Sequence, residues 1–477
     1  MNKIYHKFGI TSALVQGLCL SLLCLKFWFN FDLITSSKLQ LITPTVLATI
    51  IVLSKHFEGW NLSIIPNGLC TLLLSIALWT TTATTTSNAT ISIIFSLFAF
   101  IAWLLHLLAI AHFFSYKFNT PKGPFYVGFR SVRYQDLSIS IFYPTEASHG
   151  NRARYYPDRL AVEKFYESSS VDKPLPRWIF NIFNDIANKA RTNAYVDAPL
   201  LPPSKLPLLT ASKEQFVPVI FSHGLALHRN SNSILCTELA SRGHIVFSID
   251  HIEDIKGCAK AKNESDLVRE YQAKRVREVR KLMDILEKGQ LLVDVFQTKV
   301  PVALDKIILM GHSFGGSTAI ATALEDKRVY DCVVIDPWLA VLKKDEELRR
   351  KLTCNLFLIE SETEDAAEPE AETRARHKIL MDAQKNNGKR ALYVIANRTD
   401  HMSFADCTLF FAPTFKREGL VSHLDEVHDM MGYWVEMIAK YAELVRFEDS
   451  SGGKQNPKEL EFVELLKNND KISYQAI

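Results

Sequence analysis

The sequence predicts an α/β fold, a mostly parallel sheet with helices on both faces, preceded by an all-α region that spans a membrane. Three observations predict this organisation. Apolar stretches almost without charge fill the first 118 residues. After them, short runs of β-branched and aliphatic residues alternate with amphipathic helical patterns, which is typical of a sheet buried on both faces. A glycine-rich turn, GHSFGG at 311–316, joins one of these apolar runs to a helical pattern.

The apolar stretches predict about four transmembrane helices within residues 1–118. They lie at residues 8–25, 39–54, 59–79 and 91–114. About 20 apolar residues cross the hydrocarbon core of a bilayer, so the third and fourth stretches are long enough and the second is the shortest of the four. A cleaved signal peptide is the alternative for the first stretch. We favour a retained helix, because further apolar stretches follow it without a clear cleavage site of small residues.

The distribution of lysine predicts the orientation of this region. Residues 1–118 contain six Lys and two acidic residues, a net charge of +4, so the rest of the chain carries −1 of the total of +3. This near-neutral remainder gives no argument for a nucleic-acid partner. With four spans, most basic residues beside the membrane fall on one side, and the positive-inside rule places the domain after residue 118 in the cytosol. Without the second span, that domain lies in the lumen.

Residues 119–447 are predicted to form the α/β domain, and residues 448–477 a flexible tail that includes a small helix at 458–467. Residues 118–128 are predicted to be a linker, and residues 146–215 an insertion with a helix near 178–186. The predicted strands are 137–144, 217–222, 244–249, 306–310, 331–335, 355–360 and 391–396. The predicted helices are 233–242, 267–286, the one after the glycine-rich turn, 364–384 and 429–446.

Ser313 is predicted to be a catalytic nucleophile. It stands at the apex of Gly311-His312-Ser313-Phe314-Gly315, between a strand of apolar residues and a helix of small ones. A Gly-x-Ser-x-Gly turn in this context holds the serine on a strained backbone, which small neighbours tolerate, and exposes its hydroxyl above the sheet. The alternative is a chance glycine-rich turn.

The acid and base that such a serine needs follow it in the order expected of an α/β-hydrolase fold. Asp336 comes directly after the strand 331–335, where the acid should stand. Its rivals are Asp331, Asp345 and Glu360, and a turn or cap aspartate is the other interpretation. His401 follows the last core strand, where the base should stand. The histidines that compete with it are His377, His423 and His428.

The oxyanion hole is predicted from two backbone N–H groups. One belongs to Phe314, the residue after the nucleophile, and the other to Leu225, in the FSHGL segment that follows an earlier strand. His223 of that segment fits a structural role. The scattered cysteines show no CxxC or zinc spacing and are predicted to be buried free thiols, and no metal or cofactor is predicted.

The motifs resemble those of the plasma-type (group VII) platelet-activating-factor acetylhydrolases. PKGPFYVGF at 121, FSHGL at 221, ELASRGHIV at 238, GHSFGG at 311, DPW at 336 and HMSFAD at 401 carry the resemblance, which extends over residues 119–445. It implies that Ser313 is the nucleophile, Asp336 the acid and His401 the base, with Leu225 and Phe314 as oxyanion donors. These are the residues that chain order selects.

The resemblance also implies a function. It is a Ca²⁺-independent serine phospholipase A2 activity on the sn-2 ester of glycerophospholipids with short or oxidised acyl chains. A phospholipid is then the expected substrate, and a membrane anchor would hold the active site near it. The alternatives are a serine esterase for other small esters and a catalytically inactive membrane scaffold with a hydrolase fold.

Overall fold

The computed structural model describes the α/β part of the chain. The described residues are 118, 120–158, 161, 163, 190–206, 214–251, 266–342, 348–363, 370–385, 388–409, 427–447, 457–467 and 472–476. The four predicted transmembrane helices and the predicted helix at 178–186 lie outside these residues. Of the helices within them, none has the length and apolar character that a bilayer crossing requires.

An 11-stranded sheet forms the centre of the fold, in the spatial order β11-β10-β9-β8-β7-β5-β6-β2-β1-β4-β3. Its strands are β1 Tyr126–Tyr134, β2 Leu137–Thr145, β3 Arg152–Arg154, β4 Arg191–Val196, β5 Val217–Ser222, β6 His244–Asp250, β7 Ile307–His312, β8 Val329–Ile335, β9 Asn355–Thr363, β10 Ala391–Asp400 and β11 Ile472–Ala476. The six strands from β6 to β10 in this order are parallel to one another. The prediction of a mostly parallel sheet is therefore confirmed.

The central strands are buried along their whole length. Every residue of β5, β6 and β7 is buried. A strand covered on both faces needs apolar side chains at successive positions instead of alternating ones, which is the pattern that the sequence shows. Because the strands are parallel, their carboxyl ends meet at one edge of the sheet, where the chain can assemble a site from several loops.

Helices cover this sheet in two groups. They are α1 Ser233–Ser241, α2 Asp266–Lys288, α3 Gln290–Phe296, α4 Phe314–Glu325, α5 Glu370–Gln384, α6 Val427–Phe447 and α7 Pro457–Lys467. Helices α2 to α5 contribute to one large apolar core together with the strands. Helix α6 instead contacts α1 and α7. The apolar stripe predicted on α2, from Val276 to Leu286, is buried as expected of a helix that lies on a sheet.

The edge of the sheet near the start of the domain differs from the prediction. Strand β1 includes part of the predicted linker and pairs with β2 over its whole length, through a two-residue turn at Gln135 and Asp136. Gln135 adopts a φ of 55°. Tight hairpin turns require this left-handed backbone and usually use glycine or asparagine, so the turn has no clear sequence signal. Strands β3 and β4 lie in the predicted insertion, and α3 was also missed.

The segment after residue 447, predicted as a flexible tail with one small helix, contains that helix and also an edge strand. The small helix is present as α7, and β11 pairs with β10 in antiparallel orientation. An unpaired strand edge exposes a row of N–H and C=O groups, and β11 satisfies those of β10. Phe462 of α7 is buried, with its ring centroid 5.9 Å from that of Phe357.

Candidate active site

Ser313 lies on a strained turn between β7 and α4. Its φ of 56° and ψ of −119° fall in a region that side chains other than glycine rarely adopt. Several backbone hydrogen bonds hold the turn. The Ser313 N–H donates to the carbonyl of Ile335 (2.9 Å), and the Ser313 carbonyl accepts from the N–H groups of Gly316 (2.9 Å) and Trp338 (3.1 Å). Residues at and just after the end of β8 therefore hold the Ser313 turn in place.

Ser313, His401 and Asp336 form a continuous hydrogen-bonded chain. His401 Nε2 lies 2.9 Å from Ser313 Oγ, and its Nδ1 lies 2.7 Å from Asp336 Oδ2. The three residues follow β7, β10 and β8, so the parallel sheet brings the carboxyl ends of these strands together. The sequence predicted this set, and the structure brings all three side chains into hydrogen-bond contact. In this arrangement His401 can accept a proton from the serine while the carboxylate holds the imidazole.

Asp336 is held by a residue that sequence reasoning missed, Ser361 of β9. The Ser361 N–H donates to Asp336 Oδ1 (3.0 Å), and the Ser361 hydroxyl donates to Oδ2 (2.8 Å). Burial raises the pKa of Asp336, but the hydrogen bond and charge of His401 and the two bonds from Ser361 outweigh this effect and lower the pKa to about 2. The carboxylate therefore stays ionised at neutral pH, as the partner of an imidazolium must.

His312, the residue before Ser313, contacts the backbone of His401. Burial lowers its pKa to about 3, so the ring is neutral. Its Nε2 lies 3.1 Å from the backbone carbonyl of His401, and because a carbonyl only accepts, this nitrogen carries the proton. His312 thus links the loop of His401 to the turn of Ser313. Its position within GHSFGG was the only feature of the sequence that pointed to a place for His312 in the site.

The two predicted oxyanion donors lie beside Ser313. Phe314 is the first residue of α4, where N–H groups have no acceptor within the helix. Gly224, in the loop after β5, lies so close to the nucleophile that a Cβ placed on it would be 3.3 Å from the Ser313 Cβ. The next residue is Leu225, whose half-buried side chain packs on a buried cluster that includes Phe314 and Val341. Both predicted donor residues therefore lie next to Ser313.

A family profile matches this chain over the region that contains the triad. The family is described as "Platelet-activating factor acetylhydrolase, isoform II", and its profile matches residues 110–276 and 253–418. The chain belongs to this family.

Three relatives named platelet-activating factor acetylhydrolase illustrate the similarity. The protein of Cavia porcellus is 26% identical over 276 residues, which cover 50% of this chain and 59% of that protein. The Bos taurus protein is 24% identical over 309 residues (55% and 64%), and the Gallus gallus protein 23% over 339 residues (61% and 75%). The alignments with the first two relatives thus span less than two thirds of their length.

A solved structure shows the same fold as this acetylhydrolase-family chain. It is a ferulic acid esterase from Streptomyces cinnamoneus, with a TM-score of 0.53 at 16% identity, covering 76% of this chain and 99% of that one. At this identity the similarity concerns the arrangement of strands and helices.

The described residues that competed with Asp336 and His401 in the sequence analysis have other partners. Asp331 accepts a hydrogen bond from the Tyr441 hydroxyl (2.8 Å), at the amino end of β8. Glu360 bonds His377 Nδ1 at 2.9 Å, as a buried pair. Asp345, His423 and the side chain of His428 lie outside the described residues.

No group of three or more His, Cys, Asp or Glu side chains in the described part of the chain could hold a metal ion. The cysteines within that part are free and buried, as predicted; they are Cys236, Cys332, Cys354 and Cys407. Burial raises the pKa of Cys407 to about 12, so its thiol is protonated and unreactive at neutral pH.

Proposed function

We propose that this protein is a serine esterase that hydrolyses the sn-2 ester of glycerophospholipids with a short or oxidised acyl chain, such as platelet-activating factor. The observation that carries the proposal is the hydrogen-bonded chain from Ser313 through His401 to Asp336, in a member of the acetylhydrolase family. The geometry supports ester hydrolysis, and the names of the relatives supply the substrate class.

The mechanism follows from the positions of these atoms. His401 Nε2 accepts the proton of Ser313 Oγ as this oxygen attacks the sn-2 carbonyl carbon. The resulting imidazolium is stabilised by the ionised Asp336. When the tetrahedral intermediate collapses, the oxygen on glycerol C2 leaves and takes the proton back from His401. The products of this half-reaction are the lysophospholipid and an acyl ester on Ser313.

Water completes the cycle. His401 removes a proton from a water molecule as the water oxygen attacks the acyl carbonyl carbon. When this second tetrahedral intermediate collapses, Ser313 Oγ leaves with the proton from His401, and the fatty acid is released. In both halves, the N–H groups of Phe314 and Leu225 stabilise the oxyanion, and one such donor is worth about 3 kcal/mol of the barrier. Asp336 stabilises the imidazolium of His401, and the two N–H groups stabilise the oxyanion. Because protein groups stabilise both charges, we propose that the reaction proceeds without Ca²⁺.

A substrate panel tests this assignment. The purified full-length protein in mixed micelles is expected to hydrolyse 2-acetyl and oxidised phosphatidylcholines with a kcat/KM at least about tenfold above that for a long-chain diacyl phosphatidylcholine. Chelation of calcium with EGTA is expected to change neither rate. The Ser313→Ala variant measures the background.

Each outcome of the panel decides between the proposal and its alternatives. A preference for aryl acetates over every phospholipid would identify an esterase for other small esters. Absence of hydrolysis together with absence of labelling by a fluorophosphonate would identify an inactive scaffold. A rate that disappears with EGTA would contradict the metal-independent mechanism.

We also propose that residues 1–118 anchor the protein in a membrane through about four helices and leave the catalytic domain in the cytosol. The support is the run of apolar stretches and the lysines that flank them. Alkaline carbonate is expected to leave the protein in the membrane pellet. A protease added to sealed microsomes should digest an epitope tag at the C-terminus. A protected tag would place the domain in the lumen, and extraction by carbonate would contradict the anchor.

A further inference from the structure

Arg275 is a buried arginine that the catalytic chain does not use. It lies in α2, a helix with many charged residues on its outer side, but its own side chain is only 1% exposed. Its guanidinium reaches the loop after β5. Nη1 donates to the His223 carbonyl (2.6 Å), and Nη2 donates to the Gly224 carbonyl (3.4 Å). Burying a guanidinium is costly unless it has such partners, so its position beside this loop requires an explanation.

The Gly224 carbonyl belongs to the peptide group whose N–H is that of Leu225, the proposed oxyanion donor. Two further donors reach the same carbonyl oxygen, His223 Nδ1 (2.7 Å) and the Leu227 N–H (3.3 Å). Donors at the oxygen of a peptide fix its plane and polarise it, so its N–H becomes a stronger donor. Arg275 brings the charge of a guanidinium to this set, and its shorter bond holds the preceding carbonyl, that of His223.

Arg275 also contacts the second donor residue. Its Cζ lies 4.4 Å from the centroid of the Phe314 ring, a cation–π distance. One guanidinium thus holds the carbonyl side of the Leu225 peptide and the side chain of Phe314 at the same time. It places a positive charge on the carbonyl side of the Leu225 peptide, opposite the N–H. This charge favours the negative charge that develops on the substrate oxygen in the transition state. In a buried site such a charge acts with little screening.

We propose that Arg275 is a positioning residue of the oxyanion hole, which orients and polarises the Gly224–Leu225 peptide and fixes Phe314 against it. This inference rests on the proposed function, because it concerns the transition state of that reaction. It assigns Arg275 no contact with the substrate.

The Arg275→Gln variant tests the proposal through transition-state stabilisation. We expect its kcat to fall about 10- to 100-fold with KM within about twofold of the wild-type value, because the lost interaction acts only on the oxyanion. A trifluoromethyl ketone analogue of the substrate forms a tetrahedral adduct with Ser313, and its Ki is expected to rise by the same factor as kcat falls.

Two further variants separate this role from a loss of packing. Arg446→Gln removes another fully buried guanidinium, that of Arg446 on α6, whose Nη1 donates to the Arg242 carbonyl (2.8 Å). It is expected to lower the melting temperature and leave kcat and the Ki of the ketone unchanged. Arg275→Lys keeps the positive charge, but an ammonium cannot bond both carbonyls and also lie flat on the Phe314 ring. Its kcat is expected to lie between those of the wild type and Arg275→Gln.

The outcomes distinguish this inference from the function on which it rests. If folded Arg275→Gln has the kcat and the ketone Ki of the wild type, the role of Arg275 is overturned and the esterase assignment still stands. If the glutamine variant does not fold, the same result in Arg275→Lys has the same meaning. A fall in kcat without a matching rise in the Ki of the ketone would also overturn it. A wild-type protein that neither hydrolyses esters nor reacts with a fluorophosphonate would instead refute the proposed function.

Discussion

Replacing Ser313 with alanine is expected to lower kcat for ester hydrolysis on the order of 10⁶-fold and to abolish labelling by a fluorophosphonate. Without Oγ no acyl-enzyme forms, and His401 has no nucleophile to activate at 2.9 Å. The oxyanion donors remain, so a small rate above that of water is expected to persist. The measurement is single-turnover hydrolysis of a 2-acetyl phospholipid, together with in-gel labelling of the purified full-length protein.

Ser317→Ala is the matched control for this change. Ser317 is a buried serine one turn further along α4, and its hydroxyl donates to the Phe314 carbonyl at 2.9 Å. Its loss is expected to leave labelling intact. Asp336→Asn is expected to give an intermediate loss of about 10⁴-fold in kcat, since it leaves the nucleophile in place but disfavours the required tautomer of His401. Labelling of the Ser313→Ala protein would show that another residue is the nucleophile.

The sequence was sufficient to select three residues whose side chains meet in the structure, because the order of Ser313, Asp336 and His401 in the chain is tied to the fold. In a parallel sheet, residues that follow the strands directly lie at one edge, wherever they stand in the chain. Asp336 ends β8 and His401 ends β10, so position relative to apolar runs was enough to select both. Leu225 was selected from its place after an earlier strand, and the structure shows that this strand, β5, lies beside β7 in the sheet.

The supporting residues could not be selected in this way. Ser361 lies within β9, and nothing in its own segment indicates that its hydroxyl meets Asp336. Arg275 has the appearance of one more surface charge on a basic helix, and only the tertiary structure turns it toward the loop after β5. Contacts between residues far apart in the chain leave no periodic pattern in a single sequence.

The edges of the sheet escaped prediction for a related reason. Strand β11 is stabilised by pairing with β10, from Ile472 opposite Ala396 to Ala476 opposite Leu392, and such pairing depends on a partner distant in the sequence. Strand propensity is strongly dependent on context, so a short polar segment of this kind resembles a loop until its neighbour is known. The central strands were predictable because burial on both faces demands apolar residues at every position.

Replacing Gly315 with alanine is expected to destabilise the domain by more than about 4 kcal/mol and thereby to prevent it from folding around Ser313. A Cβ at this position would lie 2.0 Å from the Ser222 carbonyl oxygen and 2.7 Å from that of His223. Both contacts are with backbone atoms of β5 and the loop that carries Leu225, so neither a rotamer change nor a flexible side chain can relieve them. The loss of folding is measured by thermal unfolding and by the yield of protein labelled with a fluorophosphonate.

Gly432→Ala is expected to have the opposite effect on stability. Gly432 lies inside α6, and a Cβ there meets no atom within 4 Å. Alanine is the better helix former by roughly 1 kcal/mol, so this variant is expected to unfold at a slightly higher temperature with unchanged labelling. If Gly315→Ala melted and reacted as the wild type does, the turn of the nucleophile could not lie against β5 as closely as 2.0 Å implies. The loop of Leu225 would then be too far away to complete the oxyanion hole, so this pair of glycines tests the geometry on which the mechanism depends.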